Sequence, residues 1–168
     1  MKNSLAMDFS VDRENSTVRV KREFSAPKDD VWAAWTEPEI LDQWWAPRPW
    51  KSKTKKMEFK VGGRRLYAML GPEGEEHWAV ADYTSITPKT NFKYRDAFCD
   101  SEGNIDTGHF LHSDWSLDFT ARNGTTVVDI TIKHQSLADL EKVIEVGFKE
   151  GFTTAMEGLD EIFASREK

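Results

Sequence analysis

The chain has 168 residues, 39% of them hydrophobic and 31% charged, with a net charge of −6. Those values fit one soluble globular domain with a core of its own, and the acidic balance argues against general nucleic-acid binding. There is no apolar run long enough for a transmembrane helix. The single cysteine, Cys99, allows neither an internal disulfide nor a cysteine-based zinc site, which fits a reducing, cytoplasmic setting.

Residues 1–14 read as a flexible polar lead-in without the apolar core of a signal peptide, and residues 15–168 as a single domain. Thr17–Phe24 is β-branched and alternating, with Val18, Val20 and Arg22 on one side, and predicts a strand. Pro27 with Asp29 and Asp30 opens a helix that carries Val31 and Trp35 on one face. A second short helix follows at once. Thr36 with Glu39 has the spacing of a capping box, Pro38 suits a first helical turn, and Pro47 forces a stop. This helix ends in adjacent tryptophans, Trp44 and Trp45. Neighbouring helical side chains point about 100° apart, so a narrow apolar stripe cannot bury both. One enters the core; the other lines an opening or a partner surface, unless both plug the end of the core.

Between Arg48 and Arg65 stand eight basic residues, Arg48, Lys51, Lys53, Lys55, Lys56, Lys60, Arg64 and Arg65, against one acid, Glu58. Such a stretch protects an edge strand from further pairing, or meets an acidic partner. Residues 55–61 and Arg64–Leu70 flank Gly62-Gly63 as a hairpin. Further strands are expected at 77–86, 91–98, 109–121 and Thr125–His134, the last two joined at Asn123-Gly124. Ser136 with Asp139 starts the last helix, and apolar residues from Leu140 to Phe163 keep helical spacing for about seven turns, roughly 40 Å. Successive hairpins give an antiparallel sheet. Only the long helix is large enough to cover it, so the fold class is α+β: a curved sheet of six to seven strands wrapped around one long C-terminal helix, with two short helices after the first strand.

At this point the chain resembles a known family. The order of elements, Ala26-Pro27 before the first helix, Trp44-Trp45-Ala46-Pro47, Gly62-Gly63-Arg64 and the run from Gly147 to Phe152 look like the activator-of-heat-shock-chaperone-ATPase-homologue type. That family belongs to the helix-grip superfamily, with the birch pollen allergens and the lipid-transfer START domains. The resemblance covers about residues 15–165. It implies a cavity between sheet and long helix, which in many members of the fold holds a hydrophobic small molecule. The namesake activates the ATPase of the ninety-kilodalton heat-shock chaperone and carries a second, N-terminal domain. The family brings no shared catalytic motif.

The residues agree with a cavity. Gly147, Gly151 and Gly158 share one helix stripe, and each costs roughly 1 kcal/mol relative to alanine in a helix interior. Something must come close to that face, either a ligand or tightly packed sheet side chains. In the sheet, alternation places Trp115, Leu117 and Phe119 inward, with Ser113, Leu111 and His109 by extension. Phe92, Tyr94, Asp96 and Phe98 share the inner face of the preceding strand. Asp96 and His109 then become direct or diagonal neighbours. They form a satisfied polar pair, ligand contacts, or the acid and base of an enzyme.

The histidines do not make a metal site, because His109 and His112 point to opposite faces of one strand. Cys99 has no basic activator and reads as an inert, half-buried thiol. No phosphate loop, nucleophile elbow or dinucleotide fingerprint is present. The expected function is therefore binding of a small apolar molecule without covalent chemistry, cofactor or membrane contact. The expected contacts are Trp35, Trp45, Phe92, Tyr94, Asp96, His109, Ser113, Trp115, Gly147, Gly151 and Phe152. The alternatives are a protein-interaction module that uses the basic stretch, and a cyclase- or hydrolase-like enzyme that uses Asp96 and His109.

Overall fold

The structure, a computed structural model, describes residues 7–105 and 112–166. Eight strands form one antiparallel sheet: β1 (Met7–Asp12), β2 (Thr17–Phe24), β3 (Lys51–Met57), β4 (Arg64–Leu70), β5 (Glu76–Thr87), β6 (Asn91–Cys99), β7 (Ser113–Arg122) and β8 (Thr125–His134). Their order across the sheet is β1-β2-β8-β7-β6-β5-β4-β3. Consecutive strands from β3 to β8 pair as hairpins, and β2 closes onto β8, with Val20 opposite Ile130. Register shifts between Thr54 and Lys56 and between Tyr83 and Ser85 interrupt the ladders; such irregularities bend strands and suit a sheet that curves around its core.

One strand more than expected comes from the presumed lead-in. Met7, Phe9 and Val11 alternate and pack against the core as β1 pairs with β2. The first hairpin also differs. Its upstream strand starts at Lys51, and the connection runs through residues 58–63 instead of a two-residue turn at Gly62-Gly63.

Two short helices follow β2: α1 (Lys28–Thr36) and α2 (Pro38–Trp44). Thr36 is not a cap. It ends α1 and donates its hydroxyl back to the Trp32 carbonyl at 2.8 Å, while Glu37 starts α2 without a side-chain cap and Pro38 takes the first turn. Trp44 is buried, its indole N–H donating to the Ala34 carbonyl at 2.9 Å. Trp45 is half-buried. The tryptophan pair is thus divided between core and opening.

The long helix is two helices, α3 (Leu137–Glu145) and α4 (Phe148–Arg166). Ser136 caps α3 by accepting the Asp139 N–H at 3.1 Å. Gly147, at φ +95°, makes the break, a backbone conformation that favours glycine. The apolar periodicity runs on across the break because both helices bury residues in the same core, Leu140 from α3 and Phe152, Met156, Leu159 and Phe163 from α4. α4 spans about 28 Å. Its ion pair with the sheet joins Asp160 to the buried guanidinium of Arg22 on β2.

The opposite face of the sheet carries a smaller cluster, Leu66, Val80 and Ala97, with Trp78 and Cys99 packed against it. Residues 100–105 approach this cluster: Gly103 accepts Arg64 Nη1 at 2.8 Å and Ser101 accepts Lys55 Nζ at 2.8 Å. Arg64 also pairs with Asp82 at 2.5 Å.

Candidate functional site

The site grows out of strand alternation on β4, β5 and β6. Arg65 and Tyr67, Ala81 and Tyr83, and Phe92 and Tyr94 point to the same side, where Trp35 from α1 and Leu41 and Trp45 from the α2 end meet them. Together they surround a cavity of about 20 Å³, which is room for about one water molecule. Drug-sized ligand sites measure about 300–1,000 Å³, far more than this cavity holds. Its walls differ in exposure. Trp35, Arg65, Tyr67, Tyr83, Phe92 and Tyr94 are all buried, and Trp45 is the aromatic wall that is only half-buried.

Arg65 dominates the electrostatics. Only 3% of it is exposed, and a buried charge must be paired and hydrogen-bonded. Its Nε donates to Thr54 Oγ1 at 3.1 Å, and its Nη2 to Ser52 Oγ at 3.0 Å and Asp42 Oδ1 at 3.3 Å. Asp42 also accepts the hydroxyls of Ser52 and Thr54 and the Thr54 N–H, at 2.8–2.9 Å. The guanidinium lies 3.9 Å from the Tyr67 ring centroid and 5.9 Å from that of Trp45, within cation–π range. The Trp45 indole N–H donates to the Tyr67 hydroxyl at 3.1 Å. Burial pushes the phenols of Tyr67, Tyr83 and Tyr94 above their ordinary range, so all three stay protonated near neutral pH.

The residues expected from sequence separate into groups. Trp35, Trp45, Phe92 and Tyr94 line the cavity. Trp115 and Phe152 form a flank: Trp115 stacks on Tyr94 at 5.3 Å, and Phe152 sits edge-on to Trp45 at 6.1 Å. Asp96 and Ser113 stand beyond them. Asp96 accepts the Ser113 N–H at 3.1 Å, the Ser113 hydroxyl, and the Trp115 indole N–H at 2.9 Å. Burial raises its carboxyl pKa against the opposing pull of those donors. Ser113 is in turn the direct cross-strand neighbour of buried His134. The expected contact between Asp96 and His109 lies outside the described residues.

Gly147, Gly151 and Gly158 are not among the residues that line this cavity. A Cβ on Gly151 would meet Pro47 Cγ at 3.6 Å, and one on Gly158 would meet Trp44 Cβ at 3.9 Å. That stripe faces the α2 end and the turn after it. Gly147 serves the helix break. Among the described residues, what meets that stripe is Trp44, Pro47 and Arg48. Nor is the basic stretch uniformly superficial. Lys51, Lys53, Lys55 and Lys56 are exposed on the edge strand β3, whereas Arg65 is buried in the cavity wall. Sequence reasoning missed Leu41, Arg65, Tyr67, Ala81 and Tyr83. The available signal was the alternation of Arg65 and Tyr67 on the inner face of β4.

Comparison with known proteins agrees with this architecture. A protein from Mycobacterium smegmatis superposes with a TM-score of 0.85 at 26% identity, covering 95% of this chain and 96% of its own. One from Arthrobacter aurescens gives 0.87 at 26% identity, covering 94% and 91%. A protein from Silicibacter pomeroyi described as AHSA1 gives 0.68 at 18% identity, covering 89% and 99%, and shares the fold. No curated protein matches the chain. The profile of the family described as "Activator of Hsp90 ATPase homolog 1-like protein" matches residues 25–164. The chain therefore belongs to the Activator of Hsp90 ATPase homolog 1-like family.

Proposed function

We propose that this protein is a small-molecule-binding protein, with its ligand held between β4–β6 and the α1–α2 end and no covalent chemistry. One observation carries the reading: a guanidinium that is 3% exposed is kept among six aromatic rings around a cavity. A core built for stability alone gains little from a buried cation, because desolvation of the charge offsets its attractions. A binding site gains an oriented polar anchor inside an apolar pocket. A ligand larger than water must widen the cavity. Trp45 is the wall suited to move, being half-buried at the end of a seven-residue helix and tethered by one indole hydrogen bond to Tyr67. A cytoplasmic setting suits the lone reduced thiol; no helix among the described residues is long and apolar enough to cross a membrane.

A second reading, a protein-interaction module for an acidic partner, draws on one observation: the exposed lysines of β3 stand on the unpaired edge of the sheet. Native mass spectrometry of freshly purified protein decides first for or against the ligand. The expected spectrum contains a small adduct that disappears on denaturation, or an apoprotein that acquires an apolar dye in a 1:1 ratio. A bare mass with no dye uptake sinks the ligand reading and leaves the edge-strand one.

A further inference from the structure

Several donor atoms of the cavity have no acceptor among the described residues. Arg65 commits Nε and Nη2 to Thr54, Ser52 and Asp42, and its Nη1 makes no hydrogen bond among the described residues. The indole nitrogen of Trp35 is buried with no partner. Tyr83 and Tyr94 line the same cavity, and neither hydroxyl makes a hydrogen bond among the described residues. The Tyr67 hydroxyl already accepts from Trp45, which leaves its own proton to be donated. Native interiors rarely leave a buried donor unmatched, and the Trp35 nitrogen calls for an explanation. The two carboxylates nearest these groups among the described residues are already engaged. Asp42 is shared among Ser52, Thr54 and Arg65, and Asp96 is taken by Ser113 and Trp115.

We propose, resting on the ligand-binding reading above, that the site selects a small aromatic carboxylate. Its oxygens would accept from Arg65 Nη1 and the Tyr83 and Tyr94 hydroxyls, and its ring would lie among the aromatic walls next to Trp35. A guanidinium suits a carboxylate in geometry as well as charge. The tyrosines serve as neutral donors, because burial holds them protonated. Six of the nine wall residues are aromatic, and edge and face contacts between rings favour an aromatic body over a flexible chain.

The test is titration of the full chain with benzoate, toluene and hexanoate, followed by the indole N–H resonances. Benzoate should bind at least tenfold more tightly than either of the others and shift the Trp35 N–H resonance through the ring current of the bound aromatic body. The double variant Tyr83→Phe/Tyr94→Phe keeps both rings. It should lose about tenfold or more in benzoate affinity, as expected for hydrogen bonds to a charged group, with toluene unaffected. The Trp35 resonance is read in the unsubstituted protein, so it stands whether or not the double variant folds. Toluene binding as tightly as benzoate would overturn the carboxylate and leave the ligand-binding reading intact. Hexanoate matching benzoate would overturn the aromatic body. No binding by any of the three would overturn both this inference and the reading beneath it.

Discussion

Arg22 of β2 reaches Asp160 of α4, and this contact ties the C-terminal helix to the sheet through charge. The Arg22 side chain is 7% exposed and lies 4.8 Å from the centre of the Phe24 ring. Its Nε and Asp160 Oδ1 are buried without partners, so the pair is imperfectly matched. Removing one member leaves an uncompensated buried charge. Asp160→Ala should therefore destabilise by roughly 2–3 kcal/mol, below the ~3–5 kcal/mol of a fully buried pair because the Asp160 side chain retains 28% exposure. Arg22→Met with Asp160→Leu should recover most or all of that loss. Urea denaturation of the three proteins checks it. A double variant as unstable as the single one would mean that the pair contributes more than it costs to bury.

The helical glycines separate by conformation. Gly151 and Gly158 lie within α4, and an added Cβ would make ordinary contacts with Pro47 and Trp44. Alanine at either position should raise stability by about 0.5–1 kcal/mol through helix propensity, or roughly 1–4 °C in Tm for a chain of this size. Gly147→Ala should do the reverse, since φ is +95° there. Thermal melts of the three single variants suffice. Ligand affinity should be unchanged for Gly151→Ala, because the added Cβ would meet Pro47, which does not line the cavity.

The glycine stripe marks the limit of what periodicity can reveal. It identified a helix face under close approach but could not say what approaches. Strand alternation did better: Phe92, Tyr94, Trp115, Leu117 and Phe119 all face the core as their spacing dictates, and β8 matches its expected bounds. The separation of Trp44 from Trp45 was legible because it follows from helical geometry. β1 was hidden by its brevity, although Met7, Phe9 and Val11 alternate. Arg65 was hidden by its neighbours. Amid seven other basic residues it read as surface charge, and only the pairing of β4 between β3 and β5 places it inward. Its partner Asp42, more than twenty positions away on α2, carries no local signature at all.

The lysines of β3 offer a test of edge protection. Lys51, Lys53 and Lys56 are exposed on the terminal strand of the sheet, while Lys55 is committed to the Ser101 carbonyl and the Trp78 ring. Changing the first three to threonine raises β propensity and removes the repelling charge. Self-association should follow, visible by light scattering at high concentration. Changing them to glutamate should leave the protein as dispersed as before, with a stability change within about 0.5 kcal/mol. If the threonine variant stays as dispersed as the original, the lysines do not guard the edge. Loss of an acidic partner in the glutamate variant would then be the role left to seek.

Asp96 gives the clearest pH signature. Burial raises its pKa, and the bonds from Ser113 and Trp115 pull the other way without prevailing. A carboxyl whose folded pKa lies above its unfolded value of 3.8 contributes stability that is fully present below 3.8 and is lost as pH rises through the folded pKa. Asp96→Asn removes that titration while keeping an oxygen for the Trp115 N–H. The original protein should therefore lose stability relative to the variant as pH climbs from about 3.5 toward neutrality, opposite to the sign of an ordinary salt-bridged carboxylate. His134, whose pKa burial lowers, acts in the other sense. Its contribution is present above 6.5 and falls away as pH drops, but it is common to both proteins and cancels in the difference. Chemical denaturation of the pair at several pH values measures that difference directly. If it grows in favour of the original protein as pH rises, the hydrogen bonds to Asp96 outweigh its desolvation, and the carboxylate is a stabilising anion held by Ser113 and Trp115.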